Sequence, residues 1–245
     1  MNILSLNKDY CHLNPNCQTD VKPRMEKIRW FDLQWPREQE LFESEKLICR
    51  FKASENTFCY DADGFYSSAD TTVIALNERG KKKYETKYLL ALLNSNVLSF
   101  YFKSYGKLMD YRYEYYPGPV GKLRIKNTTK QKCYSTIVEY LLFLKKQDLQ
   151  SVSNQLTPTY FEQIIDGMVY ELYFPELLKK HSCEIIQHLG ELPEFTDNMN
   201  DEQKMKICQE VFHRLHDKEH PVKINLLRMK SIPEIRIIEG IGNET

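Results

Sequence analysis

Apolar residues follow two different periods along the chain, and the first is that of β-strands. Short runs rich in β-branched and aromatic residues predict strands at residues 46–51, 57–60 and 71–76. We expect these strands to pair in one sheet. Asp61-Ala62-Asp63-Gly64 follows the second run and has the residue types of a tight hairpin turn. Residues 1–20 show neither period, so we expect a leading arm there.

From residue 84 the apolar spacing becomes that of an amphipathic helix, and this helix is predicted over residues 84–103. Asn94-Ser95-Asn96 interrupts the pattern with poor helix formers, which indicates a break or two abutting helices. Residues 117–121, with two prolines and two glycines, are expected to form a loop or boundary.

The chain from about residue 128 is predicted to be helical. Helices are expected over residues 135–146, from 157 to the residue before Pro175, and over 200–216, with another considered between 175 and 189. Thr157-Pro158-Thr159 predicts the start of the second helix, because a cap and an early proline suit a first turn. The apolar stripe on that helix is interpreted as core or as a surface for a partner helix.

The predicted fold class is therefore α+β. We expect a leading arm at residues 1–20, a mixed sheet-and-helix domain at 21–127, and a helical C-terminal region at 128–245.

Composition places the chain among cytoplasmic globular proteins. Of its 245 residues, 42% are apolar and 28% charged, which excludes a disordered or collagen-like chain. No apolar run approaches the ~20 residues of a membrane span. The amino terminus lacks the pattern of a signal peptide. Seven scattered cysteines are interpreted as reduced thiols.

A formal net charge of zero hides an asymmetry along the chain. Residues 21–150 carry 23 basic and 16 acidic side chains, whereas residues 151–245 carry 10 and 16. Between residues 79 and 132 there are 13 basic and 3 acidic side chains. Such a segment could attract an anionic polymer such as nucleic acid, and the alternative is an ordinary solvated surface.

Three stretches of the chain are considered together and in order. The stretches are Trp35-Pro36-Arg37-Glu38 with residues 42–48, Gly64-Phe65-Tyr66 and Thr71-Thr72; residues 87–96 with 99–102; and Ile165-Asp166-Gly167-Met168-Val169-Tyr170-Glu171-Leu172-Tyr173. Together they resemble one known family, the TaqI-like C-terminal specificity domain of adenine-N6 DNA methyltransferases and fused restriction–modification enzymes. The resemblance covers roughly residues 25–175, and the leucine-rich helix ending in Leu93-Asn94-Ser95 is its most specific part.

The resemblance implies a target-recognition domain that grips duplex DNA and reads its site. It also implies a partner that binds S-adenosylmethionine, either an upstream methyltransferase domain in the same polypeptide or a separate catalytic subunit. Phosphate contacts and base readout both favour Lys and Arg. The candidate DNA-binding residues are Lys81, Lys82, Lys83, Lys103, Lys107, Arg112, Lys122, Arg124 and Lys126.

Tyrosines are interleaved with these cations. Aromatic rings beside cations can pack on sugars or bases, but the same tyrosines could equally belong to strands that pack a sheet. The residues concerned are Tyr101, Tyr105, Tyr111, Tyr113, Tyr115 and Tyr116. Both interpretations stay open, and they can hold for different residues.

Catalytic motifs are not found in the sequence. Adenine methylation in the resembled family uses an (Asn/Asp/Ser)-Pro-Pro-aromatic motif, and Asn14-Pro15-Asn16-Cys17 lacks the second proline and the aromatic residue. No Gly-rich loop follows a strand to hold the cofactor. We therefore expect no catalytic residues and no cofactor in this chain, as in a carboxy-terminal fragment or a stand-alone recognition subunit.

Three other functions have some support in the sequence. Residues 202–204 form an acidic-x-Lys triplet typical of nucleases, but within a helical pattern. Cys208, His213, His216 and His220 invite a zinc site, yet they lack the paired spacing of structural zinc, so no metal is expected. The third function is a protein-interaction module whose acidic helical half docks onto a catalytic subunit.

Overall fold

The structure, a computed structural model, describes residues 4–6, 39–67, 70–147 and 152–241 and has an α+β fold, as predicted. Trp35-Pro36-Arg37-Glu38 and the predicted arm other than residues 4–6 lie outside the described residues. The strands are β1 (Leu4–Leu6), β2 (Lys46–Arg50), β3 (Lys52–Ala53), β4 (Phe58–Asp61), β5 (Thr71–Leu76), β6 (Leu108–Met109) and β7 (Arg112–Glu114).

Helices follow and surround these strands. They are α1 (Gln39–Glu43), α2 (Glu78–Lys81), α3 (Thr86–Leu93), α4 (Asn96–Lys103), α5 (Pro117–Val120), α6 (Gln131–Lys146), α7 (Val152–Tyr173), α8 (Pro175–Lys180), a 3₁₀ turn (Ile186–His188), α9 (Asp201–His216), α10 (Pro221–Met229) and α11 (Pro233–Ile238). Among the described residues, no helix is both long enough and apolar enough to cross a membrane.

The larger sheet is antiparallel with the order β1-β5-β2-β4, so the three predicted strands do share one sheet. β5 lies in the middle, and its residues from Thr72 to Leu76 are buried. Leu4 pairs with Leu76, which places part of the predicted leading arm in the sheet. The sequence did not reveal β1 because three residues are too few to show a period.

The chain bends after β4, at residues 61–64, but the predicted hairpin is wrong. β4 lies at the edge of the sheet, and the next strand, β5, pairs with β2 on the other side. The carboxylate of Asp61 accepts hydrogen bonds from the backbone N–H of Asp63 and of Phe65. Gly64 has a φ of +76°. Turn residues fix the local bend, but they carry no information about which strand the chain joins next.

The predicted helix over residues 84–103 consists of two abutting helices, α3 and α4, as the interruption indicated. Ser95 is the N-cap of α4, and its Oγ accepts a hydrogen bond from the N–H of Leu98 at 3.3 Å. This bond satisfies one of the free N–H groups at the start of α4, which compensates for the broken helix.

Several boundaries differ from the prediction, and α6, for example, begins at Gln131 rather than at residue 135. Pro117 occupies the first turn of α5, where its missing N–H costs nothing, so the expected loop contains one helical turn. α7 begins at Val152 rather than at Thr157, and Pro158 lies inside it. A proline near the start of a long helix removes a single hydrogen bond, and the packing of α7 against α6 outweighs that loss.

One hydrophobic core runs through both halves of the chain. It extends from Leu47 in β2 through Tyr88 and Tyr134 to Ile235 in α11. α3 packs against α6, and α4 packs against α7, so helices from either side of residue 127 share this core. The sheet-containing part and the helical region are therefore joined across that position rather than linked by an exposed segment.

Carboxylates of α7 accept hydrogen bonds from both halves of the chain. The carboxylate of Asp166 accepts hydrogen bonds from the backbone N–H of Asn96 at 2.8 Å and from its Nδ2 at 2.9 Å. Glu171 accepts hydrogen bonds from the N–H groups of Ile185 and Ile186 at 2.7 and 2.9 Å. The apolar stripe of α7 is core, as predicted, with Met168 and its neighbours buried.

Asp166→Asn tests the buried carboxyl group. Burial raises the pKa of Asp166 from its ordinary value of 3.8 to about 7. Because the folded-state pKa lies above the unfolded one, the stability that this group contributes is present below about pH 4 and is lost as the pH rises through about 7. The free energy of unfolding of wild type should therefore lose a contribution on the order of 2 kcal/mol between about pH 5 and about pH 8. Asp166→Asn has no carboxyl group at this position and should not show that loss.

Urea denaturation at both pH values measures this difference. Glu176→Gln, which changes an exposed carboxyl in the first turn of α8, is the control and should follow the wild-type profile. If Asp166→Asn also followed the wild-type profile, the carboxyl would not titrate as described.

Candidate nucleic-acid interface

β6 and β7 form a short hairpin that projects from a three-stranded sheet of order β3-β7-β6. Met109 pairs with Arg112, so the loop between the strands contains only Asp110 and Tyr111. Asp110 has a φ of +57°, a left-handed conformation that Asp tolerates in tight turns. The guanidinium carbon of Arg112 lies 5.1 Å from the centre of the Tyr111 ring, within cation–π range.

The base of the hairpin is fixed to the C-terminal end of α4. Gly106 donates its N–H to the carbonyl of Phe102 at 2.7 Å. A Cβ on Gly106 would lie 2.9 Å from that carbonyl oxygen and 3.1 Å from the ring of Tyr113, so the close approach requires glycine. The ring of Tyr115, just after β7, is buried and stacks on Phe102 at 4.4 Å.

Lys103 and Lys107 flank this base. Lys103 is the last residue of α4 and is exposed. Lys107 is exposed as well, and its Nζ lies 3.1 Å from a carboxylate oxygen of Glu114, which is buried. Lys107 therefore neutralises a buried carboxylate and still presents part of its side chain to solvent.

The segment that contains Lys122, Arg124 and Lys126 lies against α4. The Nε of Arg124 is 3.4 Å from the hydroxyl of Tyr101, and the hydroxyl of Tyr105 donates to the carbonyl of Pro119 at 3.1 Å. Both tyrosines are half-buried, and their rings contact each other at 5.1 Å. These contacts bring Arg124 to the same helix that ends in Lys103.

Lys126 has a structural partner as well as an exposed side chain. Its Nζ donates to the last carbonyl groups of α7, those of Leu172 at 3.2 Å and Tyr173 at 3.3 Å. A cation there is favoured by the partial negative charge at a helix C-terminus. The carbonyl of Lys126 accepts a hydrogen bond from Tyr88, so this segment reaches α3.

Lys81, Lys82 and Lys83 form a second group, at and just after α2. All three are exposed, and Lys81 forms an ion pair with Glu78 at 2.9 Å. Lys81 also borders a cleft of about 510 Å³. Four glutamates line that cleft: Glu45, Glu85, Glu139 and Glu194. These carboxylates make Lys81 less suited to phosphate than Lys82 and Lys83.

The nine predicted residues thus differ in what they already bind. Within the part of the chain that the structure describes, Lys82, Lys103 and Lys122 have no ion-pair partner. The guanidinium of Arg112 contacts the Tyr111 ring and has no ion-pair partner among the described residues. Contacts join α4 and the hairpin, which carry Lys103, Lys107 and Arg112, to the segment at residues 122–126. Lys81, Lys82 and Lys83 lie instead at the α2 end of the domain.

Sequence reasoning did not identify the hairpin. Its signal was the alternation Tyr111-Arg112-Tyr113-Glu114-Tyr115, which has the period of a strand. Tyr113 lies in β7 and Tyr115 is buried, so these two follow the sheet-packing interpretation. Tyr111 is exposed at the tip, as the ligand-contacting interpretation requires. The sheet-packing interpretation is therefore confirmed for Tyr113 and Tyr115, and ligand contact by Tyr111 stays a prediction.

Cys208, His213, His216 and His220 do not form a zinc site in the described structure. Cys208 is fully buried, and burial raises the pKa of its thiol to about 12, which disfavours the thiolate that zinc needs. His213 is exposed, and His220 accepts the N–H of Val222 as the N-cap of α10. No group of three His, Cys, Asp or Glu side chains within the described ranges could hold a metal ion. Glu202 and Lys204 lie in the first turn of α9, not on a strand.

Comparison with known families supports the resemblance. Residues 4–116, just under half of the chain, match the model of the TaqI-like C-terminal specificity domain. The match indicates a DNA-sequence specificity domain of restriction–modification systems. A comparison with curated proteins finds no match. The matched segment includes the hairpin and ends just before α5, so Lys122, Arg124 and Lys126 lie beyond it.

A comparison of Lys126→Ala with Lys122→Ala tests whether Lys126 stabilises the fold. Lys126→Ala removes the donor at the C-terminus of α7, and we expect the free energy of unfolding to fall by about 0.5–1 kcal/mol. Lys122→Ala should leave it unchanged, because Lys122 has no such contact in the described structure. Urea denaturation of both variants tests this, and equal midpoints would contradict the capping role.

Proposed function

We propose that this chain binds duplex DNA sequence-specifically, as the target-recognition part of a restriction–modification adenine methyltransferase. The match of residues 4–116 to a specificity domain carries the proposal. That match implies DNA recognition in a methyltransferase context. Duplex DNA is a dense array of phosphates, so an element that binds it needs cations that are not already neutralised.

The distribution of free cations supports this proposal. Lys103, Arg112 and Lys122 are exposed and have no ion-pair partner in the described structure. Contacts of α4 with the hairpin and with Arg124 gather these cations on neighbouring elements. In our proposal this group neutralises phosphates and positions the duplex, and Lys82 and Lys83 extend the contact at the α2 end.

The catalytic chemistry belongs to a partner in this proposal. An upstream methyltransferase domain of the same polypeptide, or a separate subunit, would bind S-adenosylmethionine and methylate the adenine that is flipped out of the duplex. The chain itself would hold neither the cofactor nor a catalytic residue. We place this assembly in the cytoplasm.

A protein-interaction module is the alternative, and one observation favours it. Leu227 in α10, Ile237 in α11 and Ile241 just after it are exposed apolar side chains in the acidic half of the chain. Exposed apolar groups of this kind can dock onto another protein. In that case the basic half would only be solvated, and the chain would not bind duplex DNA.

A salt titration of duplex binding distinguishes the two functions. We expect the logarithm of the association constant to fall linearly with the logarithm of the salt concentration, with a slope near −0.9 per phosphate neutralised. In Lys103→Ala/Lys122→Ala, two phosphate contacts are lost, so the slope should become shallower by about 2. Fluorescence anisotropy with a labelled 30-base-pair duplex at about five salt concentrations measures both slopes.

The matched control for this experiment is Lys179→Ala/Lys218→Ala, which removes two exposed lysines of the acidic half. This control should keep the wild-type slope. Absence of any duplex binding at low salt would favour the interaction module. Equal losses in both double variants would mean that net charge, and not the α4 region, governs the affinity.

Methyl transfer by the chain alone is expected to be absent. Incubation of the full chain with S-adenosylmethionine and duplex DNA should give no methylated adenine, and calorimetry should detect no binding of the cofactor, because the chain lacks the motifs for both steps. Addition of a catalytic subunit, if one exists, should restore transfer. Methylation by the chain alone would overturn this part of the proposal.

A further inference from the structure

We propose that the β6–β7 hairpin is the base-reading element, and that its tip enters a groove of the duplex while the lysines at its base contact phosphates. This inference rests on the proposed function and makes it more specific. It assigns roles to side chains that the charge pattern did not identify, Met109, Asp110 and Tyr111 in particular.

The tip exposes apolar side chains at a place where they gain nothing from the protein's own core. The exposed fractions are 54% for Leu108, 37% for Met109 and 72% for Tyr111. Three large apolar side chains within four residues are costly to leave in water, and such patches mark binding sites. A surface that served only to attract phosphates would need the cations but not these side chains.

Hydrogen bonds hold the base of the hairpin in place. The backbone N–H of Glu114 donates to the carbonyl of Lys107 at 3.0 Å, and the backbone N–H of Tyr115 donates to the carbonyl of Phe51 at 2.8 Å. The hydroxyl of Tyr115 donates to the side-chain oxygen of Asn56, in the loop before β4, at 2.9 Å. Together with the contact at Gly106, these bonds fix the direction of the hairpin before binding, so little conformational entropy is lost when a ligand is bound.

The chemistry of the tip matches base edges. Apolar side chains such as Met109 can contact the methyl group of thymine, and Arg112 can donate two hydrogen bonds to guanine. Asp110 can accept a hydrogen bond from the amino group of cytosine. A two-stranded ribbon also fits the width of the major groove.

Charge argues for DNA rather than protein as the occupant. Lys103 and Lys107 flank the base, and Arg112 stands beside the tip, so the apolar side chains lie among cations. Lys122 and Arg124 lie on the neighbouring segment. A phosphate backbone on either side of a groove would meet these cations as the tip enters it.

In vitro selection with the full chain tests the inference. The probe is a pool of 30-base-pair duplexes with a randomised centre, and the readout is the ratio of affinities for the selected sequence and for the unselected pool. In Met109→Ser/Tyr111→Ser, we expect this ratio to fall tenfold or more while the salt slope stays that of wild type, because the phosphate contacts remain. The matched control is Leu227→Ser/Ile237→Ser, whose residues are 61% and 59% exposed, and it should keep the ratio.

Arg112→Lys provides a second variant that keeps the charge. It should weaken the preference at guanine positions only, because Lys lacks the rigid planar fork with which Arg donates two parallel hydrogen bonds. The urea midpoints of all variants should equal that of wild type, since the altered side chains lie outside the core.

The outcomes separate the two levels of the proposal. If wild type shows no salt-dependent affinity for any duplex, the proposed function fails. If wild type selects a sequence but both hairpin variants keep that sequence and its ratio, base reading by the hairpin is overturned while the proposed function stands. If wild type binds DNA but selects no sequence, base reading and the sequence-specific part of the proposed function both fail, and only non-specific DNA binding remains. If the exposed tip binds a protein in place of DNA, wild type should show no salt-dependent affinity for any duplex.

Discussion

The structure depends on three consecutive polar residues at the break between α3 and α4. Asn94 exchanges two hydrogen bonds of 2.8 Å with the backbone of Phe58, so its side chain pairs with the edge strand β4. Ser95 caps α4, and Asn96 donates twice to Asp166 in α7. The break would otherwise leave backbone N–H groups unsatisfied in a buried place, at a cost of about 1–3 kcal/mol each. The hydroxyl of Ser95 satisfies the N–H of Leu98, and the carboxylate of Asp166 satisfies the N–H of Asn96. The side chains of Asn94 and Asn96 join the break to the sheet and to the C-terminal region.

Two of the three stretches of the resemblance are far apart in sequence, and this arrangement brings them into contact. Asn96 belongs to the leucine-rich stretch, and Asp166 belongs to the stretch on α7. Gly167 beside it allows the side chains of Ile185 and Leu226 to approach so closely that a Cβ would lie 2.8 and 2.6 Å from them. The helical region thus supports the half of the chain that carries the free cations. It is a part of the same core and not a separate module.

The basic residues divide into those that support the fold and those that remain available. Lys46 is fully buried and pairs with Asp61, and Lys126 binds the C-terminal carbonyls of α7. Lys103 and Lys122 have no such role in the described structure. A count of charges along the sequence treats all of them alike, because it contains no information about partners. In our proposal the available cations attract the duplex, and the hairpin among them supplies sequence preference.

The sequence by itself determined the elements whose signal is local. The β-branched runs gave three strands of one sheet, the 3.6-residue spacing gave α3, α4 and the long helices, and the interruption at Asn94 gave the break. The short pieces were not predictable. β1, the hairpin and the extension of α7 before Pro158 exist because neighbouring elements pair with them or pack against them, and that gain is non-local. For the same reason the sequence could name the cations and tyrosines of the candidate interface, but only the tertiary structure decided which of them are occupied and which project into solvent.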